Sequence, residues 1–276
     1  MRLRFAPGMR PAGGELAVNV GTAGSVTLVL QALVPVLLDA RAPARLVVTG
    51  GTDVRQAPSW DYFCRVLLPL LARMGLRVDA SIMRRGYYPR GGGQVAVEVE
   101  PGVPEPLAPG KPKSAWQIAG EAHVANLPAT IAERMRSAAL TSLGREARIE
   151  TRALARGEAI GTGGAVTLWA RSDAVLLGAS RVAERGVRAE ALGEAAASEL
   201  AADLQSGATL DLHAADQVLV YAAMAKGKSR FSARALSSHA RTAMWLIPKF
   251  LPARFSVEEK GGLAHIGVEP GQLERS

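Results

Sequence analysis

Ser237-Ser238-His239-Ala240-Arg241-Thr242 opens an apolar helical run towards Phe250 and puts an imidazole on its first turn. Free backbone N–H groups and the helix dipole favour an anion there, and a neutral imidazole is a competent nucleophile towards phosphorus near pH 7. Histidine also serves as a cap or surface group, so this chemistry needs company. Asp216-Gln217, read as the start of another helix, offers an N-cap, a Mg²⁺ ligand or a group that orients an imidazole. Gly21-Thr22-Ala23-Gly24 precedes a helix, as a plain turn or a phosphate cradle. Arg85-Gly86-Tyr87-Tyr88-Pro89-Arg90-Gly91-Gly92-Gly93-Gln94-Val95 joins two strands. A sharp hairpin explains its glycines; its arginines and tyrosines suit phosphate binding and base stacking. Of the other histidines, His265 alternates along a strand as a packing or surface group, and His123 has no partner that the sequence reveals. Zinc-ligand spacing, a Gly-x-Ser-x-Gly elbow and a Walker-type loop are all missing from the sequence.

The helices and strands that carry these residues can be read from periodicity. Leu16, Val18 and Val20 alternate as a strand, Ser25–Leu38 is apolar almost all round and expected to be buried, and Arg45–Thr49 reads as the next strand. Trp60, Phe63, Cys64, Leu67, Leu70, Leu71 and Met74 form a helical stripe, with strands at 77–83 and 94–99 closing a β-α-β-α-β-β unit. The end of the chain repeats much of that order: a helix 216–225, a strand 230–233, a helix from Ser238, and strands 254–258 and 264–268. Laying Pro69 on Pro248 puts Trp60 opposite His239, which reads as an internal duplication. Between the units, the Pro/Gly-rich stretch 101–113 reads as a linker. Beyond it, strands at 115–119, 148–151, 166–170 and 174–177, with helices 128–143 and 188–204, form a small α+β module. The expected organisation is α+β: repeated β-α-β-α-β-β units in a large domain (1–112 and 210–276), interrupted by a smaller, thioredoxin-like domain (113–209).

The composition is globular, with 48% hydrophobic and 21% charged residues over 276 positions, and this excludes a disordered chain. A net charge of +8 suits an anionic partner such as nucleic acid or nucleotide, although no dense basic run accompanies it. Cys64 is the sole cysteine, expected to be a buried, inert thiol, which fits a reducing cytoplasm. No apolar run is long enough to span a membrane, and MRLRFAPG holds no apolar signal core.

The loop RGYYPRGGGQV resembles the signature of the RNA 3′-terminal phosphate cyclases: Arg or His, Gly, two free positions, Pro, one free position, three Gly, a free position and an aliphatic residue. GTAGSVTLVLQ, VTGGTDVRQAP, the DQ of HAADQ and the SSH before ARTAMW match in family order across essentially the whole chain. The resemblance implies a ligase-class enzyme that uses ATP and Mg²⁺ on RNA with a 3′-phosphate end. A histidine becomes adenylylated, AMP passes to the RNA phosphate, and the 2′-hydroxyl displaces it to give a 2′,3′-cyclic phosphate. Carried over by motif, His239 is the nucleophile. Gln31, Pro58, Leu212, His213, Ala214, Ala215, Asp216 and Gln217 are the nucleotide contacts, with Asp216 also a metal ligand or the group that holds His239. At His213 the family usually has tyrosine. Family members also begin with a further repeat carrying a Gly-rich segment, an acidic metal contact and substrate-binding arginines; MRLRFAPGMRPAGG stands near that repeat's end, so the chain is expected to lack it. Two alternatives stay open: a non-catalytic or truncated cyclase-like protein acting in RNA or ribosome assembly, and, less well matched, an enolpyruvyl transferase. A homo-oligomer is left open.

Overall fold

The computed structural model describes residues 9–271; the opening MRLRFAPG, expected to hold no signal core, lies outside them. Strand β1 (Gly14–Asn19) runs parallel to β2 (Ala44–Gly50). The latter pairs antiparallel with β4 (Gly93–Val99), and β4 with β3 (Val78–Gly86). Helix α1 (Val26–Leu37) starts because Ser25 caps it, its side chain accepting from the Leu28 N–H. Leu30 and Val34 of this helix are fully buried, yet Leu28 and Val36 are 47% and 51% exposed, which corrects the expectation of burial all round. One apolar stripe meets the sheet and the other looks outward.

The second helical stripe divides into α2 (Trp60–Tyr62), a π-turn at Phe63–Leu67 and α3 (Leu68–Arg73). A π-turn takes in one extra residue and so rotates α3 relative to α2. Its side chains, Phe63, Val66 and Leu67, with Leu70 and Leu71 of α3, fill the core beneath Leu46, Val48, Val95 and Val97. Cys64 lies among them, and burial pushes its thiol up to about 12, in keeping with the inert thiol expected.

The stretch 101–113 has no regular structure but is pinned rather than loose. The Leu107 N–H donates to Ser229 Oγ, its carbonyl accepts from Arg230, and the Pro104 carbonyl accepts from Lys226. Beyond it, β5 (Gln117–Ala125) pairs parallel with β6 (Arg148–Leu154) and antiparallel with β8 (Gly163–Arg171), which pairs with β9 (Leu176–Val182). Helices α4 (Ala129–Leu143) and α5 (Ala189–Ser206) cover that sheet around a core of its own, with Ala122, Met135, Ala139, Leu168, Ala196 and Leu200 buried. The order β-α-β followed by β-β-α suits the thioredoxin-like expectation. A two-residue strand, β7 (Ala159–Ile160), leaves this unit and pairs parallel with the end of β3, extending the first sheet.

The last part contributes α6 (Leu212–Gln217), α7 (Leu219–Ala223), β10 (Ser229–Ala233), α8 (Ser238–Leu246), β11 (Arg254–Lys260) and β12 (Leu263–Glu269). The sheet order β10-β12-β11 is antiparallel, and Phe231, Ile266 and Val268 join the same core as α1 and the π-turn. The expected helix 216–225 is therefore two short helices, and the first begins earlier. Asp211, not Asp216, is its N-cap, accepting from the N–H groups of His213 and Ala214. Counted from their capping serines, Ser59 and Ser237, Trp60 corresponds to Ser238 rather than His239.

Candidate active site around His239

Helix α8 starts where Ser237 accepts from the Ala240 N–H at 2.9 Å, and His239 stands two residues past that cap with its side chain 87% exposed. The Ser237 hydroxyl also donates to Asp216 Oδ1 at 2.7 Å, so one side chain caps α8 and holds the carboxylate. Asp216 Oδ2 lies 3.8 Å from His239 Nδ1. This is beyond a full hydrogen bond but close enough to bias the imidazole, leaving Nε2 free for attack. Burial pushes the Asp216 carboxyl up. The sequence offered the Ser-Ser-His run without showing that Ser237 joins the cap to the acid.

His213 lies at the start of α6, half exposed, with Nε2 3.4 Å from Glu199 Oε1 on α5. Its ring meets Tyr62 edge-on at 6.1 Å. Glu199 raises the basicity of His213, and His213 together with Arg181, 2.5 Å from Glu199 Oε2, holds the Glu199 carboxyl down against its burial. For His213 the sign is fixed: a raised imidazole contributes stability that is full below its ordinary 6.5 and lost as pH rises through its folded value. Glu199 contributes above its ordinary 4.5. The stability gap between the wild type and Glu199→Gln is therefore expected to be widest between about pH 4.5 and 6.5 and to narrow above that window, as read by urea unfolding across pH.

Beneath His213, the fully buried Asp211 accepts from Tyr62 Oη at 2.6 Å, from the Gly178 N–H at 2.9 Å and from two N–H groups of α6. These bonds tie α2 and β9 to the segment that the motif assigns to the nucleotide. Ala214 and Ala215 are buried at 0% and 2%, so their side chains face the core and only their backbone could meet a ligand. Leu212 packs partly buried against that core. Gln217 Oε1 and Gln31 Nε2 are buried without hydrogen-bond partners among the described residues, an arrangement that costs free energy unless a ligand supplies them. Pro58 lies across from α1, its carbonyl accepting from Thr27 Oγ1 at 2.8 Å. The hairpin tip abuts the turn before α1: a Cβ on Gly91 would stand 2.5 Å from the Thr22 carbonyl oxygen.

The hairpin's polar residues divide. Arg85 and Tyr87 turn inward, while Tyr88 and Arg90 stay exposed. Arg85 donates to Asp53 Oδ2 at 2.9 Å and to Asp61 Oδ1 at 2.6 Å, all three nearly sealed from solvent. His123, fully buried on β5, completes the group, with Nδ1 3.3 Å from Asp61 Oδ2 and Nε2 3.9 Å from Asp53 Oδ2. Burial pushes Asp61 up, but His123 and the Arg85 charge outweigh it and hold the carboxyl below its usual range. Asp53, Asp61 and His123 are near enough to ligate one ion. The guanidinium already engages both carboxylates, so the group serves as a charged joint between β5 and the first sheet. Asp216 belongs to no three-ligand group among the described residues, so it could give Mg²⁺ one carboxylate, with phosphate and water completing the shell.

A family model described as RNA 3′-terminal phosphate cyclase matches residues 1–257. The protein of that name from Nitrosospira multiformis is 49% identical over 261 residues, covering 94% of this chain and 74% of its own. Its namesake from Pyrobaculum neutrophilum is 42% identical over 264 residues, covering 93% of this chain and 75% of its own. The Korarchaeum cryptofilum protein of the same name is 36% identical over 278 residues, covering 99% and 78%. With its signature hairpin seated against the α1 turn and its histidine on a capped helix start, the chain belongs to the RNA 3′-terminal phosphate cyclase family of ligase-class enzymes.

Proposed function

We propose that this chain converts an RNA 3′-terminal phosphate to a 2′,3′-cyclic phosphate at the expense of ATP, through a covalent adduct on His239. The observation that carries this reading is the exposed imidazole at the start of α8, with Nδ1 facing Asp216 and Nε2 open. His239 Nε2 attacks the α-phosphorus, the P–N bond forms as the bond to pyrophosphate breaks, and Asp216 favours the tautomer whose proton sits on Nδ1. An oxygen of the RNA phosphate then takes the AMP from His239, giving a phosphate with a good leaving group. The 2′-hydroxyl closes the ring onto the 3′-phosphorus as AMP departs with the bridging oxygen.

Gln31 and Gln217 supply the buried amide groups left without partners, Pro58 and His213 flank the base, and the helix start favours the phosphate charge. Bound Mg²⁺ would neutralise the triphosphate, with Asp216 as its protein ligand. The two hydrophobic cores support reading 113–209 as a smaller unit inserted between 1–112 and 210–276. The lone high-pKa thiol suits a reducing cytoplasm, and no described helix is long and apolar enough to cross a membrane.

The test is incubation with ATP labelled at the α-phosphate and Mg²⁺. An acid-labile, alkali-stable adduct that maps to His239 and discharges onto RNA with a 3′-phosphate supports the proposal. No adduct from folded protein sinks it, and salt-sensitive RNA binding without adduct would favour a non-catalytic role in RNA assembly.

A further inference from the structure

We propose that the outer side of the signature hairpin, with the neighbouring turn at 155–158, is a docking surface for single-stranded RNA. The proposal rests on the function proposed above for its RNA substrate but concerns residues that function does not use. Tyr88 is 77% exposed, although its neighbour Tyr87 is 2% exposed. The Tyr87 ring is packed inward: it lies where a Cβ on Gly163 would stand, 2.3 Å away, so glycine is required beneath it. Among the described residues Tyr88 meets no such partner, and an exposed ring is what a base stacks on.

The charge around it is one-sided. Arg84 folds over the hairpin, donating from Nε to the Gly92 carbonyl at 3.0 Å, which leaves the rest of its guanidinium outward. Arg90 is exposed at the tip, and among the described residues neither it nor Arg84 faces a carboxylate. Pairing of β3 with β7 brings in the other unit: the Arg85 N–H donates to the Glu158 carbonyl at 2.7 Å and Tyr87 N–H to the Ile160 carbonyl at 3.2 Å. This seats Arg156, exposed and facing no carboxylate among the described residues, beside the hairpin. The one acidic side chain of that turn, Glu158, is taken up by Arg152 and by the Ala155 N–H. Three guanidinium groups that face no carboxylate among the described residues, beside one exposed aromatic ring, fit a phosphate backbone with an unstacked base. Duplex RNA offers no base face there.

The surface lies at the same end of the sheet as the turn before α1, against which Gly91 packs. RNA held on the hairpin would therefore run towards the helix that carries Gln31.

The experiment measures anisotropy of a labelled, unstructured RNA oligonucleotide ending in a 3′-phosphate, with the full chain, across a salt series. Alongside it, the ATP-dependent adduct is quantified. Arg84→Gln/Arg90→Gln/Arg156→Gln is expected to lower the slope of log affinity on log salt by about 2, since each single-strand phosphate contact contributes about 0.7. Tyr88→Ala is expected to weaken binding about 5- to 100-fold and Tyr88→Trp to restore it. Adduct formation should be unchanged in all of them, which also shows that they fold. Unchanged affinity and slope, or equal competition by a polyglutamate peptide, overturns the proposal. If the variants lose RNA affinity but even the wild type forms no adduct, the docking surface stands and the adenylylation reading falls. A wild type that forms the adduct but binds no RNA overturns the docking surface and leaves the adenylylation of His239 standing.

Discussion

His239→Asn is expected to abolish the labelled adduct and to cut cyclisation by on the order of 10⁴-fold or more, because loss of a nucleophile removes the covalent path rather than weakening it. The fold should be indifferent. The imidazole is 87% exposed, its neighbour Ala240 supplies the buried contact of α8, and the cap belongs to Ser237. A stability change within about 0.5 kcal/mol is therefore expected from urea unfolding. Ser237→Ala would behave differently, since it removes both the cap and the bond to Asp216; it should cost stability of about 1 kcal/mol as well as adduct yield. Full activity in His239→Asn would remove the imidazole from the reaction.

Arg85→Met is expected to destabilise the protein by about 3–5 kcal/mol, because it leaves two buried carboxylates without their cation. The two terminal guanidinium nitrogens serve different acids, Asp53 and Asp61, and His123 does not replace them, as its nitrogens make no full hydrogen bond. Adding Asp53→Asn and Asp61→Asn to Arg85→Met should recover much of the loss, which a mutant cycle under urea would measure. If Arg85→Met alone is neutral, the group is not the joint described. Acid should act on the same place: Asp61 is held low, so its contribution is present above the ordinary 3.8 and lost as pH falls through its lower folded value.

Strand and helix identities were largely legible from periodicity, because most elements bury one regular face. What the sequence hid is what depends on distant partners. His123 looked partnerless since its neighbours come from positions 53, 61 and 85, and the strand holding it runs to Ala125 rather than ending at 119. Two alanines and a glycine in that stretch dilute its alternation, and the backbone pairing with β8 sustains it. The start of α6 is hidden for a related reason: Asp211 and Asp216 are both capping residue types, and the bonds from Tyr62 and Gly178 select the former. The hairpin's composition marks it as unusual, but nothing local tells an inward Arg85 from an outward Arg84. Only the β3–β7 pairing and the buried acids do.

The bond from the Gly178 N–H to Asp211 makes the smaller unit something other than removable cargo. Shortcutting the chain from 112 to 210 would leave Asp211 one donor short in a sealed site, strip Glu199 from His213 and uncover the face against which Leu176 packs. Swapping that unit between relatives should succeed only when the donor strand and the acidic helix travel together.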